Sequence, residues 1–186
     1  MPRIQIINRV KQDEYAFDNL LNYIAKEDHC SRSFIGASNM YISDYSMPEP
    51  YIGEQIESLL DMHGAWNKRR ALHVFITFND EERAYLTEQM LIQITYEFVQ
   101  QAFPCCMTYF AVHDISTIGE VKLHVHIMLI PINIYTGQTW SAGVKGWYKV
   151  GWIFTNICAA YIPIGVLDKP YVKYGRTPRE EGVIES

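Results

Sequence analysis

The chain has 186 residues, of which 48% are hydrophobic, so we expect one globular domain with a substantial core rather than a disordered chain. It contains no run of about 18 uninterrupted apolar residues, and its first residues lack the apolar segment of a secretion signal. The formal net charge is −5, so overall charge does not indicate a nucleic-acid-binding protein, and any DNA contact would need local basic clusters.

The cysteines also bear on the cellular compartment. There are four cysteines, and they lack the spacing of a zinc site. Two of them are adjacent, a spacing that does not indicate a disulfide framework. We therefore predict reduced thiols in a cytoplasmic protein without a membrane partner. The cysteines are Cys30, Cys105, Cys106 and Cys158.

Hydrophobic periodicity predicts strands and helices distributed along the whole chain. We expect an α+β domain over residues 1–167, in which helices pack on a central antiparallel sheet, followed by a polar and basic tail over residues 168–186. The predicted elements are a strand over Arg3–Val10, a helix from Asp13 to about Glu27, a helix over Tyr51–Met62, a strand over Ala71–Phe78, a long helix from Asn79 to about Phe103, strands over Met107–Asp114 and Val121–Pro131, and a helix over Trp147–Ala160.

Two histidines lie inside an otherwise apolar strand, VKLHVHIMLIP, which spans Val121–Pro131. Because side chains alternate between the faces of a strand, His124 and His126 share one face, with roughly 6–7 Å between their Cα atoms. Hydrogen bonding to neighbours is one use of such a pair. Binding of one metal ion by both imidazoles is the other, and this pattern alone does not decide between them.

A third histidine favours the metal. Gly119 indicates a tight turn centred on Ile118-Gly119 between the two neighbouring strands. That turn would place His113 directly opposite His124, on the same face of the sheet. Three imidazoles with the rest of the coordination sphere open are typical of a catalytic or substrate-binding metal rather than a closed structural site.

At this point the sequence resembles a known family. His113-Asp114, then Leu-His124-Val-His126-Ile, then Pro-Ile-Asn133-Ile-Tyr-Thr-Gly137, is similar to the histidine motif of the relaxase/mobilization nucleases, MobP-like members of the HUH endonuclease superfamily. Leu21-Asn-Tyr23-Ile resembles the segment that carries the nucleophilic tyrosine of that family. The strand Leu72-His73-Val-Phe-Ile-Thr-Phe78 resembles another of its segments, and the resemblance covers roughly residues 3–140.

The resemblance implies a specific activity. It implies an RRM-like antiparallel sheet with the histidines on central strands, and a divalent metal, Mg²⁺ or Mn²⁺. On grounds of ligand hardness, imidazole ligands would suit Mn²⁺ or Zn²⁺ better than Mg²⁺. It also implies site- and strand-specific nicking of single-stranded DNA at an origin of transfer during conjugative mobilization, through a phosphotyrosine intermediate. Accessory mobilization proteins would be further partners.

The candidate nucleophile is Tyr23, mainly on this resemblance, with Tyr15 as the second choice. Helical spacing places Tyr23 on the flank of the apolar face of its helix, from which it can reach over the sheet. Lys26 and His73 are candidates for phosphate or DNA contact.

Further candidates lie near the predicted last helix. Lys145 and Lys149 are interleaved with aromatic residues, which suits contact with a nucleic acid. A hydrophobic core explains the aromatic residues equally well. These aromatic residues are Trp140, Trp147, Tyr148 and Trp152.

Three alternatives remain open at this point. A replication initiator or transposase of the same superfamily would share the chemistry and differ in its DNA site. A non-catalytic module would bind single-stranded nucleic acid without cleaving it. A three-histidine oxygenase or hydrolase is the third alternative, although the intervening helices argue against a cupin-like barrel.

Overall fold

The computed structural model describes residues 3–7, 16–25, 35–42, 48–66, 71–115, 121–163, 165–167 and 171–174. Within these ranges the predicted α+β architecture is confirmed: helices pack on both faces of a six-stranded sheet. The elements are β1 (Arg3–Ile7), α1 (Ala16–Ile24), β2 (Ile35–Ser38), α2 (Pro48–Met62), β3 (Leu72–Thr77), α3 (Asp80–Arg83), α4 (Glu88–Ala102), β4 (Cys106–Ile115), β5 (Val121–Asn133), α5 (Gly143–Cys158) and β6 (Tyr171–Tyr174).

The strands lie in the order β2-β4-β5-β3-β1-β6. The first five pair antiparallel with their neighbours, as predicted, and β6 pairs parallel with β1. β6 lies within the segment predicted to be a polar tail, and because it pairs with β1, residues 171–174 of that segment belong to the sheet instead. Residues 168–170 and 175–186 of that segment lie outside the described part of the chain. β4, which carries His113, and β5, which carries His124 and His126, are interior strands of the sheet.

Strand alternation divides the core between the two sheet faces. One face carries residues such as Val74, Val125 and Ile127, and α4 and α5 cover it with Phe98, Phe154 and other apolar side chains. We call it the α4–α5 face. The opposite face carries Met128, Ile130 and Tyr109, which pack against α1 and α2. The histidines extend this second face beyond its apolar part, and we call it the histidine face.

The predicted long helix after β3 is two helices. Asn79 caps the short helix α3 in a capping box, because its side chain accepts a hydrogen bond from the backbone N–H of Glu82 and the Glu82 carboxylate accepts from the N–H of Asn79. Helix α3 ends at Arg83. Thr87 then lies in an extended conformation, and its side chain accepts from the N–H of Met90 and so caps α4. Two successive caps therefore divide a segment that periodicity alone joins.

Two turns were predicted near the ends of β5. The turn after β5 is confirmed: Gly137 has φ +66°, in the left-handed region, and Oδ1 of Asn133 accepts hydrogen bonds from the N–H groups of Tyr135 and Thr136. The turn predicted at Ile118-Gly119 lies in residues 116–120, outside the described ranges. Strand β2 was not predicted, since its four residues carry little periodicity of their own.

Two expectations about the chain as a whole concern cysteines and membranes. Of the four cysteines, Cys105, Cys106 and Cys158 are free thiols, as predicted, and Cys30 lies outside the described residues. Among the described residues, none of the helices has the length and apolar character that crossing a membrane requires.

Candidate metal centre and its tyrosine

Three histidines meet on the histidine face where β4 and β5 pair. His113 lies directly opposite His124, and Ala111 lies opposite His126, so the predicted register is confirmed. The candidate ligand nitrogens of His113, His124 and His126 all lie within 4.8 Å of one another, and the three residues are buried. Three imidazoles at this separation match the donor set of a divalent transition metal with coordination positions left for substrate.

A helix terminus holds one of these rings. Nε2 of His113 lies 2.9 Å from the backbone carbonyl oxygen of Ile24, the last residue of α1. The last carbonyls of a helix have no intrahelical partner, so the imidazole N–H satisfies one of them. A metal-binding histidine commonly donates its other N–H to a carbonyl in this way, and His113 would then offer Nδ1 to a metal.

The fourth histidine of the cluster is His73 on β3. It lies diagonally across from His126, and its Nε2 is 2.7 Å from Nδ1 of that residue. The two rings are stacked, with centroids 5.0 Å apart and an interplanar angle of 22°. Burial, and then the nearby charge of His113, lower the pKa of His73 to about 4. The ring is therefore neutral near pH 7.

Tyr23 stands over this cluster at the end of α1. Its ring lies edge-on to His126 with centroids 5.3 Å apart, and edge-on to His73 with centroids 5.8 Å apart. The side chain remains 45% exposed. Helical spacing predicted that Tyr23 would reach over the sheet from the flank of its helix. The ring does lie over the sheet against the histidines, and one side of it is exposed.

Two further residues lie beside the histidines, and of these Phe75 was not singled out from the sequence. Phe75 lies opposite His126 and Thr77 lies opposite His124, both on β3. The Phe75 ring packs against both histidines, with centroid distances of 4.8 Å to His126 and 5.3 Å to His124. The alternation of His73, Phe75 and Thr77 indicates a shared face, but the pairing of β3 with β5 is needed to bring that face next to the three clustered histidines.

The structure separates the other candidate DNA contacts. His73 is 6% exposed and lies within the histidine cluster. Lys145 and Lys149 are exposed on α5, which packs on the α4–α5 face, so the sheet separates them from the histidines. Lys26 lies outside the described residues.

The aromatic residues near these lysines are divided between the core and the surface. Trp147 is buried in the core, and Trp140 packs against that core. Tyr148 and Trp152 are about half exposed beside the two lysines.

Comparison with known proteins agrees with this geometry. Residues 23–162 match the model of the relaxase family described as MobA/VirD2-like, nuclease domain. The fold is similar to that of the conjugative relaxase TrwC in its metal-bound complex with oriT DNA, with 12% sequence identity and a TM-score of 0.51 over 86% of this chain and 68% of that one. TrwC in complex with mutant oriT DNA is 10% identical, with a TM-score of 0.48 over 86% and 68% of the two chains. No curated protein matches the sequence significantly.

The family match covers most of the chain, begins at Tyr23 and includes the three clustered histidines. The TrwC similarity adds agreement in fold. The chain therefore belongs to the relaxase family, and residues 23–162 form its MobA/VirD2-like nuclease domain.

Proposed function

We propose that this chain nicks one DNA strand at an origin of transfer, with Tyr23 as the nucleophile and a divalent metal held by His113, His124 and His126. The observation that carries the proposal is the half-exposed Tyr23 ring standing edge-on against His126, one of three clustered histidines. A nucleophile and a metal site in contact are the two elements that phosphodiester transesterification needs.

The covalent step exchanges one phosphoester bond for another. The phenolic oxygen of Tyr23 attacks phosphorus and loses its proton, and the bond to the 3′ oxygen breaks. The DNA 5′ end becomes a phosphotyrosine, and the freed 3′ oxygen takes up a proton. Because the number of phosphoester bonds is conserved, a 3′ hydroxyl can later reverse the reaction and rejoin the strand.

His113, His124 and His126 would hold the ion that orients the substrate. A divalent ion bound there would polarise the scissile phosphate and stabilise the charge that develops on its oxygens. Imidazole ligands favour Mn²⁺ or Zn²⁺ over the harder Mg²⁺ on grounds of ligand softness. His113 is held by the carbonyl of Ile24, next to Tyr23 in the chain, so the same contact places both the nucleophile and a metal ligand.

Single-stranded DNA is the proposed partner, with accessory mobilization proteins assembled around it. The support is family membership together with the fold shared with TrwC, which has been solved bound to oriT DNA. The acidic chain would bind DNA through local features rather than its overall charge. Phe75 and Tyr23 offer aromatic surface beside the cluster for an unstacked base.

The test is formation of a covalent protein–DNA product. The protein is incubated with Mn²⁺ and labelled single-stranded fragments from the transfer origin of the element that encodes it, then resolved on a denaturing gel. We expect a labelled band of increased mass that disappears on protease treatment and fails to form on the matching duplex or with EDTA. Tight DNA binding without any covalent band would overturn the proposed nicking and leave a binding module.

A further inference from the structure

We infer that His73 is a positioning residue for the metal site, which fixes the ring and the tautomer of His126 by accepting a hydrogen bond from its Nδ1–H. The inference rests on the proposed metal role of the three clustered histidines. It gives His73 a function that differs from the DNA contact predicted for it from the sequence.

The contact between the two rings is short and enclosed. Nε2 of His73 lies 2.7 Å from Nδ1 of His126, and both residues are buried, with 6% and 3% of their surfaces exposed. Phe75 packs on the His126 ring and Tyr23 meets the edges of both histidines. A hydrogen bond surrounded by aromatic rings exchanges poorly with water, so it constrains the ring orientation more than an exposed contact would.

The chemistry of imidazole sets the direction of this hydrogen bond. A metal bound by His126 needs a nitrogen lone pair, and since Nδ1 faces His73, the ligand atom is Nε2. The neutral His126 ring then carries its proton on Nδ1 and donates it to the lone pair on Nε2 of His73. His73 must accordingly carry its own proton on Nδ1. A histidine thus takes the place of the carboxylate, carbonyl or water that commonly receives this proton.

The burial of His73 argues against direct contact with the phosphate backbone. With 6% of its surface exposed, the ring has little area to offer a strand lying over the sheet. Its one polar contact within the cluster is to a metal-ligand candidate, and its stacking partner is the same residue. The geometry therefore assigns His73 to the support of His126.

The first experiment measures metal affinity in two variants that differ in hydrogen bonding. His73→Phe keeps a stacked ring but removes the acceptor, and Mn²⁺ affinity should fall roughly 10–100-fold, as when other outer partners of metal ligands are removed. His73→Gln keeps an acceptor oxygen at a similar reach, and its affinity should stay within about threefold of the unmodified protein. Titration calorimetry and the electron paramagnetic resonance of free Mn²⁺ report both values without reference to DNA cleavage.

A packing control separates this role from general support of the fold. Phe75→Leu disturbs the rings of His124 and His126 without touching a hydrogen bond. We expect its Mn²⁺ affinity to stay within about threefold of the unmodified protein, since the acceptor for His126 remains. If Phe75→Leu weakens Mn²⁺ binding as much as His73→Phe does, packing rather than the hydrogen bond is responsible and the inference is wrong.

The second experiment needs no variant that might unfold. Long-range ¹H–¹⁵N correlation spectra of the protein distinguish the two nitrogens of each neutral imidazole. We expect the Nδ1–H tautomer at both His73 and His126, and on addition of Zn²⁺ the Nε2 signal of His126 should shift while His73 keeps its tautomer. Direct coordination of Zn²⁺ by His73, or an Nε2–H tautomer at His126, would overturn the inference.

The outcomes distinguish this inference from the proposed function. Equal Mn²⁺ affinity in His73→Phe and the unmodified protein overturns the positioning role and leaves nicking intact. Absence of a covalent DNA product alongside the expected metal affinities overturns nicking and leaves the positioning role. A protein that takes up neither Mn²⁺ nor Zn²⁺ overturns both, because the ligand role of His126 is common to them.

Discussion

The ring of Tyr23 and the ring of His126 meet edge to face, with centroids 5.3 Å apart and an angle of 87° between their planes. One comes from the end of α1 and the other from the interior strand β5. They meet because the carbonyl of Ile24, adjacent to Tyr23 in the chain, bonds His113 on the neighbouring strand. This arrangement places the ring of Tyr23, the proposed nucleophile, in contact with one of the candidate metal ligands.

Tyr23→Phe tests the nucleophile. Only one oxygen is removed, and the ring keeps its edge contacts, so the free energy of unfolding should change by no more than about 0.5 kcal/mol. We expect loss of the covalent DNA product, with Mn²⁺ affinity unchanged. Denaturing gels with labelled DNA measure the product, and urea unfolding measures stability.

The matched control is Tyr135→Phe, because Tyr135 is 74% exposed in the turn after β5. It should form the covalent product as the unmodified protein does. A product that persists in Tyr23→Phe would assign the nucleophile to another tyrosine, and Tyr15, outside the described residues, would be tested next.

His124→Ala tests the metal site. Loss of a direct ligand should lower Mn²⁺ affinity at least as much as loss of a residue that hydrogen-bonds to a ligand, which is roughly 10–100-fold. Because two histidine ligands remain, a higher Mn²⁺ concentration should partly restore nicking. His63→Ala is the control, since His63 contacts the carbonyl of Ile134 and lies outside the cluster. Equal Mn²⁺ affinity in the two variants, measured by calorimetry, would remove His124 from the ligand set.

Salt dependence tests where DNA lies. Single-stranded DNA should bind more tightly at low salt, and affinity that stays flat as salt rises would remove the nucleic-acid proposal. Arg3 is exposed on the histidine face, opposite Thr77, whereas Lys145 and Lys149 are exposed on α5 across the sheet.

Arg3→Gln and the double variant Lys145→Gln/Lys149→Gln separate these two surfaces. A substitution that removes one side chain bound to a phosphate should reduce the slope of log affinity against log salt by roughly 0.7. Fluorescence anisotropy across a salt series measures the slope. An unchanged slope in the double variant would show that DNA does not reach α5.

Gly137→Ala tests the turn after β5. Gly137 has φ +66°, and an added Cβ would lie 2.7 Å from Cβ of His63. Gly64 has φ +56° with nothing within 4 Å of such a Cβ. Gly64→Ala should therefore lower the free energy of unfolding by roughly 1–2 kcal/mol, because of backbone strain. Gly137→Ala should lower it by roughly 1–3 kcal/mol more than Gly64→Ala does, because of the added clash with His63. Urea unfolding of both variants checks the difference, and equal decreases in stability would show that His63 moves aside freely.

The cluster of three histidines could be predicted from the sequence because its geometry is local. Two histidines separated by one residue in a strand must share a face, since the side-chain period of a strand is two. His113 precedes them across a short connection, and a short connection between antiparallel strands limits the register to a few choices. The structure confirms the choice that places His113 opposite His124.

Other features depended on contacts that the local pattern does not encode. His73 and Phe75 reach His126 because β3 pairs with β5, strands separated by two helices and β4 in the chain. The same holds for β6, whose four residues join the far edge of the sheet beside β1 rather than a polar tail. Which strands pair is decided by how the whole set of apolar faces can be buried, so it belongs to the assembled domain.

The sequence by itself determined which residue types share a strand face, and therefore that three imidazoles could meet. The tertiary structure decided what surrounds them: Tyr23 above, the Ile24 carbonyl at His113, and His73 at His126. The physical reason is the range of each constraint. Backbone periodicity acts between neighbouring residues, whereas the partners of a buried polar group are selected by packing and by the cost of leaving that group without a hydrogen bond.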